Sequence, residues 1–133
     1  MITEDYVSFE TAKLLKEKGF DDEYTNAFYD KTGNLYFIDL LSDLSQHMDN
    51  DTDIAASTLY VAMKWLREEK KIGIGVNTNF GLDDGNKWYY EYGFCIFQLS
   101  GTFKKFAECD YDGYKTYEEA CEAAIKYCLE NLI

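Results

Sequence analysis

Proline is absent from the 133 residues, and histidine occurs once. Without proline there is no proline-rich linker. No repeat or low-complexity tract divides the chain either, so length and composition indicate a single domain over residues 1–133. The lone histidine restricts any histidine-based metal site or Cys-His dyad to His47, which has no cysteine near it in sequence and reads as a surface residue. There is no GxSxG, no HExxH and no phosphate-binding glycine loop. Gly73-Ile74-Gly75 opens a strand rather than a helix, so it is no dinucleotide fingerprint. Basic residues are few, 13 against 25 acidic, and the net charge of −12 argues against nonspecific binding to nucleic acid or anionic membranes. No apolar run approaches the ~20 residues needed to cross a bilayer. The opening MITEDYVSFE is acidic and lacks the layout of a signal peptide, which makes a cytoplasmic location the default.

Other scarcities act in the same direction. Carboxylates are plentiful, yet none forms a recognisable acid–base pair, and Glu118, Glu119 and Glu122 read as helix-surface charges. Asp49-Asn50-Asp51-Thr52-Asp53 resembles the start of an EF-hand loop, but Ile54 stands where the loop needs glycine and Tyr60 where it needs glutamate. No metal, cofactor or catalytic residue is therefore assigned. The four cysteines, Cys95, Cys109, Cys121 and Cys128, form no CxxC pair. Cys121 and Cys128 lie about 10 Å apart along one helix at 1.5 Å per residue, too far for a disulfide. All four read as reduced and mostly buried.

What is present is apolar and aromatic: 47% hydrophobic and 17% aromatic residues, ample for a core. The chain is organised around Ser57–Leu99. Leu59, Ala62 and Leu66, extended by Ala55, form one stripe of a helix capped by Ser57, with Trp65 as a core anchor. Ile72, Ile74 and Val76 then alternate with Gly73, Gly75 and Asn77, which is strand spacing. Asp83-Asp84-Gly85 reads as a three-residue hairpin loop with glycine in the left-handed position. That loop pairs Ile74 with Phe94 and Val76 with Tyr92 on one face, and sets Gly75 opposite Gly93 on the other. A turn at Ser100-Gly101 then sets Cys95 opposite Phe106. The outcome is a shallow glycine floor of Gly73, Gly75 and Gly93, continued by Cys95 and flanked by Tyr89, Phe97 and Phe106. Strand glycines mark close approaches to the backbone, and these seven residues form the candidate binding surface.

Around this unit, Ser8 caps a helix over Phe9–Lys18 that Gly19 stops. Ala27–Tyr29 and Leu35–Leu40 form a hairpin about Asp30–Asn34. Leu41–Asp53 is the least regular stretch. Thr102–Cys109 is a strand with Phe103, Ala107 and Cys109 toward the core. Thr116-Tyr117-Glu118-Glu119 is a capping box, opening a last helix that buries Tyr117, Ala120, Cys121, Ala124, Ile125, Cys128 and Leu132. These elements give an α+β domain: an antiparallel sheet of about five strands, an N-terminal hairpin plus a three-stranded meander, with about three helices mainly on one face.

Three segments, SFETAKLLKEKGF, KWLREEKKI and GYKTYEEACEAAI, in this order resemble small uncharacterised proteins encoded by phages and prophage-like elements of gut bacteria. Members of that group often carry a proline before the middle helix, where this chain has Ala56-Ser57. The resemblance implies a phage or mobile-element setting and no residue-specific activity. With the missing catalytic constellation, it gives the expectation of a non-catalytic accessory protein that binds another protein, of unspecified oligomeric state. The alternatives are a small-molecule binder or enzyme using the glycine floor, and an acidic mimic of nucleic acid.

Overall fold

A computed structural model describes residues 5–21, 25–38, 53–100 and 102–133, with only the backbone course over 100–112. Two compact units divide the chain between Ala62 and Met63.

In the first unit, α1 spans Phe9–Glu17. Ser8 caps it as its spacing predicts, its Oγ accepting from the Thr11 amide at 3.3 Å, and Gly19 leaves the helix at a left-handed φ of 94°. Its buried stripe is Thr11, Ala12 and Leu15. β1 (Ala27–Tyr29) and β2 (Leu35–Phe37) pair antiparallel, Phe28 opposite Tyr36. The Asp30 carboxylate draws the turn together, accepting from the amides of Thr32 and Asn34 at 2.8 and 3.0 Å. The Thr32 hydroxyl also donates to it at 2.6 Å, and this bond first, then those of the amides, hold its pKa below the ordinary carboxylate value. β3 (Ile54–Ala55) pairs with the other edge of β1. The Tyr29 hydroxyl, buried, donates to the Val7 carbonyl at 2.6 Å.

α2 spans Leu59–Glu69, and the boundary between the units falls inside it. Its stripe of Leu59, Ala62 and Leu66 is buried as the periodicity requires. The cap lies one residue later than expected. Thr58 Oγ1 accepts from the Val61 amide at 3.2 Å, while Ser57 is buried and donates to the Thr58 carbonyl at 2.7 Å. Ala55 belongs to β3, not to the helix. Trp65, expected as a core anchor, is half-buried rather than buried, with the Lys70 ammonium 5.4 Å from its ring centre.

In the second unit, Lys71 turns the chain out of α2 at a left-handed φ of 59°. β4 (Ile72–Leu82), β5 (Trp88–Ser100) and β6 (Thr102–Tyr114) form an antiparallel meander with β5 in the centre. α3 (Tyr117–Asn131) packs on it. Thr116 caps the helix as expected, its Oγ1 accepting from the Glu119 amide at 3.1 Å, while the Glu119 carboxylate reaches one residue further back than a capping box requires and accepts from the Lys115 amide at 3.3 Å. α3 buries Ala120, Cys121, Ala124, Ile125, Cys128 and Leu129. Leu129, not Leu132, completes the stripe, and Tyr117 is exposed. The small residues let the helix lie close against Ile72, Phe94 and Ile96, which are buried.

The α+β class is as expected, but the single sheet of about five strands is not what forms. The described residues make two separate three-stranded sheets, ordered β2-β1-β3 and β4-β5-β6. A two-residue strand takes the free edge of β1, so the N-terminal hairpin completes a sheet of its own. His47 and residues 49–52 of the acidic run lie outside the described residues, as do positions 39 and 40 of the expected Leu35–Leu40 strand.

Candidate functional site

The β4–β5 hairpin is longer than the helix that covers it. Fifteen helical residues span about 22 Å at 1.5 Å each, whereas the eleven residues of β4 span about 36 Å at 3.3 Å each. α3 begins at Tyr117, whose ring meets Tyr92 edge-on at 6.1 Å. Beyond that point the same face continues without helix. There Phe80 is 73% exposed, Leu82 51%, Trp88 76% and Tyr90 59%. Phe80 stands opposite Tyr90 and Leu82 opposite Trp88. The rings form a connected row: Tyr117 to Tyr92, Tyr92 to Tyr90 at 5.9 Å, Tyr90 to Phe80 at 6.5 Å. Large aromatics in such contact are ordinarily core. Here four large apolar side chains form one open patch, beside Asp83 and Asp84.

The loop that ends this hairpin has five residues, Asp83–Lys87, not three. Asp83 closes it: its amide donates to the Lys87 carbonyl at 2.9 Å, and its carboxylate accepts from the amides of Gly85 and Lys87, each at 2.9 Å. The left-handed residue is Asn86, φ 60°, rather than Gly85. The longer loop shifts pairing by two residues. A two-residue shift keeps each side chain on its face, so Ile74, Val76, Phe94 and Tyr92 still share one face, but the partners change. Ile74 meets Ile96 and Val76 meets Phe94.

This register dismantles the glycine floor. Gly75 stands opposite Cys95, Gly73 opposite Phe97, and Gly93 opposite Asn77. The glycines are also occupied by their own sheet. A Cβ on Gly73 would meet Leu99 at 3.2 Å, one on Gly75 would meet Phe97 at 3.7 Å, and one on Gly81 would meet the Tyr89 hydroxyl at 2.6 Å. Each glycine is a notch into which a cross-strand side chain leans. Gly75→Ala fits within ordinary contact and removes the entropy cost of a strand glycine. It should raise the melting temperature by about 2 °C, and a drop on heating in a thermal melt would show that the notch is tighter than 3.7 Å implies.

Between β5 and β6 the register shifts twice, between Tyr92 and Phe94 and between Cys95 and Phe97. Cys95 therefore stands opposite Cys109, not Phe106, and Phe97 opposite Lys105. Cys95 is disulfide-bonded, which overturns the expectation of four reduced cysteines. Its sulfur also accepts from the Asn77 amide nitrogen at 3.6 Å. The side chain of Phe106, like those of Phe103, Ala107 and Cys109, lies outside the described residues. Cys121 and Cys128 are free and buried. Burial pushes their thiols up to about 11 and about 12, far from the range of a reactive thiolate. In the first unit the Tyr36 hydroxyl donates to Asp53, and burial first, then this carboxylate, raises the phenol well above its usual value. Among the described residues no group of acids, cysteines or histidine is placed to hold a metal ion.

Sequence alone does not single out Phe80, Leu82, Trp88 and Tyr90, which alternate onto the same face as Val76 and Tyr92. The signal that exposes them is a length mismatch between strands and helix. No helix of the described residues is long and apolar enough to cross a membrane. No protein-family model matches the chain, and no match is found among curated proteins or solved structures.

Proposed function

We propose that this protein is a non-catalytic accessory factor of a phage or mobile element, and that it acts by binding another protein through the open end of the β4–β5 hairpin. The observation that carries the reading is the patch of Phe80, Leu82, Trp88 and Tyr90, all more than half exposed on one sheet face. Monomeric proteins keep such contiguous apolar surface small, and where it is aromatic and rimmed by charge it marks contact sites. Trp and Tyr are the side chains that most often dominate binding energy. Asp83 and Asp84 at the rim, in a chain of net charge −12, suit a partner with lysine or arginine around an apolar centre. The mobile-element setting rests on the three resembling segments. The glycine face is less suited to a small ligand, because Leu99, Phe97 and Tyr89 fill its notches.

The test is capture from a bacterial lysate with the wild-type chain beside a Phe80→Ser/Trp88→Ser variant. Both positions are solvent-facing, so the circular dichroism spectrum should not change. A partner bound by the wild type should be lost, with affinity falling at least about tenfold. Equal recovery by the two chains would place the contact elsewhere.

A further inference from the structure

β4 is an edge strand: among the described residues it pairs with β5 alone. Its ladder with β5 runs unbroken through eleven pairs, without a bulge. Natural edges are blunted by lysine, proline, bulges or short length. β4, reading IGIGVNTNFGL, has none of these and no charged residue at all, in a chain of net charge −12. The direction of its free hydrogen-bonding groups follows from the ladder. Just beyond its ends, Leu99 donates to the Lys71 carbonyl and Asp83 to the Lys87 carbonyl. Odd-numbered residues of β4 therefore bond to β5, and the amides and carbonyls of the even-numbered ones point outward. Among the described residues no backbone hydrogen bond joins that edge to another segment.

The strand is also nearly its own mirror. Read about Asn77, Ile72 answers to Leu82, Gly73 to Gly81, Ile74 to Phe80 and Val76 to Thr78. The outer pairs match, apolar on apolar and glycine on glycine, the inner ones set Gly75 on Asn79 and Val76 on Thr78, and even positions fall on even positions throughout.

We propose that the occupant of this edge is a second copy of the chain, joined antiparallel about a two-fold axis at Asn77 to make a continuous six-stranded sheet. Antiparallel pairing about Asn77 matches outward amides with outward carbonyls over the whole strand and keeps all even side chains on one face. Phe80 and Leu82 of each copy come to lie beside Ile74 and Ile72 of the other. Two strongly acidic molecules repel over most of their surface, and β4 is the long segment on which they meet without like charges in contact. The paired edge with Phe80 and Leu82 covers roughly 500–600 Å² per copy, at the small end of specific interfaces. The association is therefore a concentration-dependent one. It shares Phe80 and Leu82 with the open aromatic face, but its hydrogen bonds run along the strand edge about Asn77, away from that patch, so changes at Asn77 and Thr78 test it separately from partner binding.

Sedimentation of the full-length protein across the micromolar range tests this. The mass should climb from 15.5 kDa toward twice that value, and a constant 15.5 kDa at every concentration overturns the proposal. Thr78→Pro removes an outward amide and leaves the bonds to β5, so self-association should weaken at least about tenfold. Unchanged association of a folded Thr78→Pro chain overturns it. Asn77→Lys and Asn77→Glu give a second route that does not depend on proline being tolerated. Each alone sets like charges face to face across the axis and should be monomeric, and an equimolar mixture should recover a one-to-one dimer. Folded Asn77→Lys and Asn77→Glu chains that stay apart on mixing, or that each dimerise alone, overturn the axis and with it the proposal.

Discussion

Ile125→Ala lowers the unfolding free energy by about 3 kcal/mol, within the 2–5 kcal/mol that deletion of a large buried aliphatic side chain costs. Ile125 is completely buried, and with Leu129 it is one of two large aliphatic side chains in the buried stripe of α3. Its neighbours in the stripe, Ala120, Cys121 and Ala124, are small. They bring the helix near the sheet but have no length with which to fill a void. The cavity therefore persists, and its walls lose contacts that nothing replaces. Phe80→Ala is the matched control: it deletes a larger side chain, yet one 73% exposed, and should move stability by less than about 0.5 kcal/mol. Denaturant unfolding of both variants checks the pair. A loss below about 1 kcal/mol for Ile125→Ala would mean that α3 contributes little to holding the meander together.

Elements whose signals are local were legible. Ser8, Gly19 and Thr116 act where their spacing says they should, because a cap is decided within four residues. The turn Asp30–Asn34 is of the same kind. Pairing between distant strands has no such local signature. Ile54–Ala55 is two residues long, too short for any period to register, yet it supplies the third strand of the first sheet and removes the reason for a single larger one.

The candidate surface failed on register. A glycine after two aspartates has the chemistry of a short loop, but the carboxylate of Asp83 bonds two amides further on, and the loop closes around five residues. Faces survived the two-residue shift and partners did not, so the glycines were placed on the right side of the sheet and beside the wrong neighbours. In β6 one register shift falls beside Gly113, at a left-handed φ of 82°, while the other, between Lys105 and Cys109, comes with no glycine or proline to announce it. The register that sets Cys95 opposite Cys109 was out of reach of spacing alone, as was the oxidised state of Cys95.

Stability falls steeply as pH rises above about 9, and the cause lies in α3 rather than at the surface. Burial raises Cys121 from 9.0 to about 11 and Cys128 from 9.0 to about 12. For Cys121 the Tyr117 hydroxyl partly offsets the shift by hydrogen bonding to the sulfur, and Glu118 and Glu122 add to it. A thiol whose folded pKa exceeds its unfolded one keeps its proton in the native state while the unfolded chain gives it up. Between the two values the folded state binds more protons, so the unfolding free energy decreases with pH. Below pH 9 the contribution is intact. Between about 9 and 11 each thiol removes up to about 1.4 kcal/mol per pH unit, and Cys128 continues to do so toward 12. The two together amount to several kcal/mol, a large part of what holds a domain of this size. Tyr36, raised by burial and by Asp53, adds a loss of the same sign above pH 10. Denaturant unfolding at a series of pH values, without oxygen so that the free thiols stay reduced, reads the slope directly. Cys128→Ala should flatten it by about one proton between pH 9 and 12, whatever it does to stability at pH 7. An unchanged slope in that variant would mean that Cys128 is reached by water in the native state.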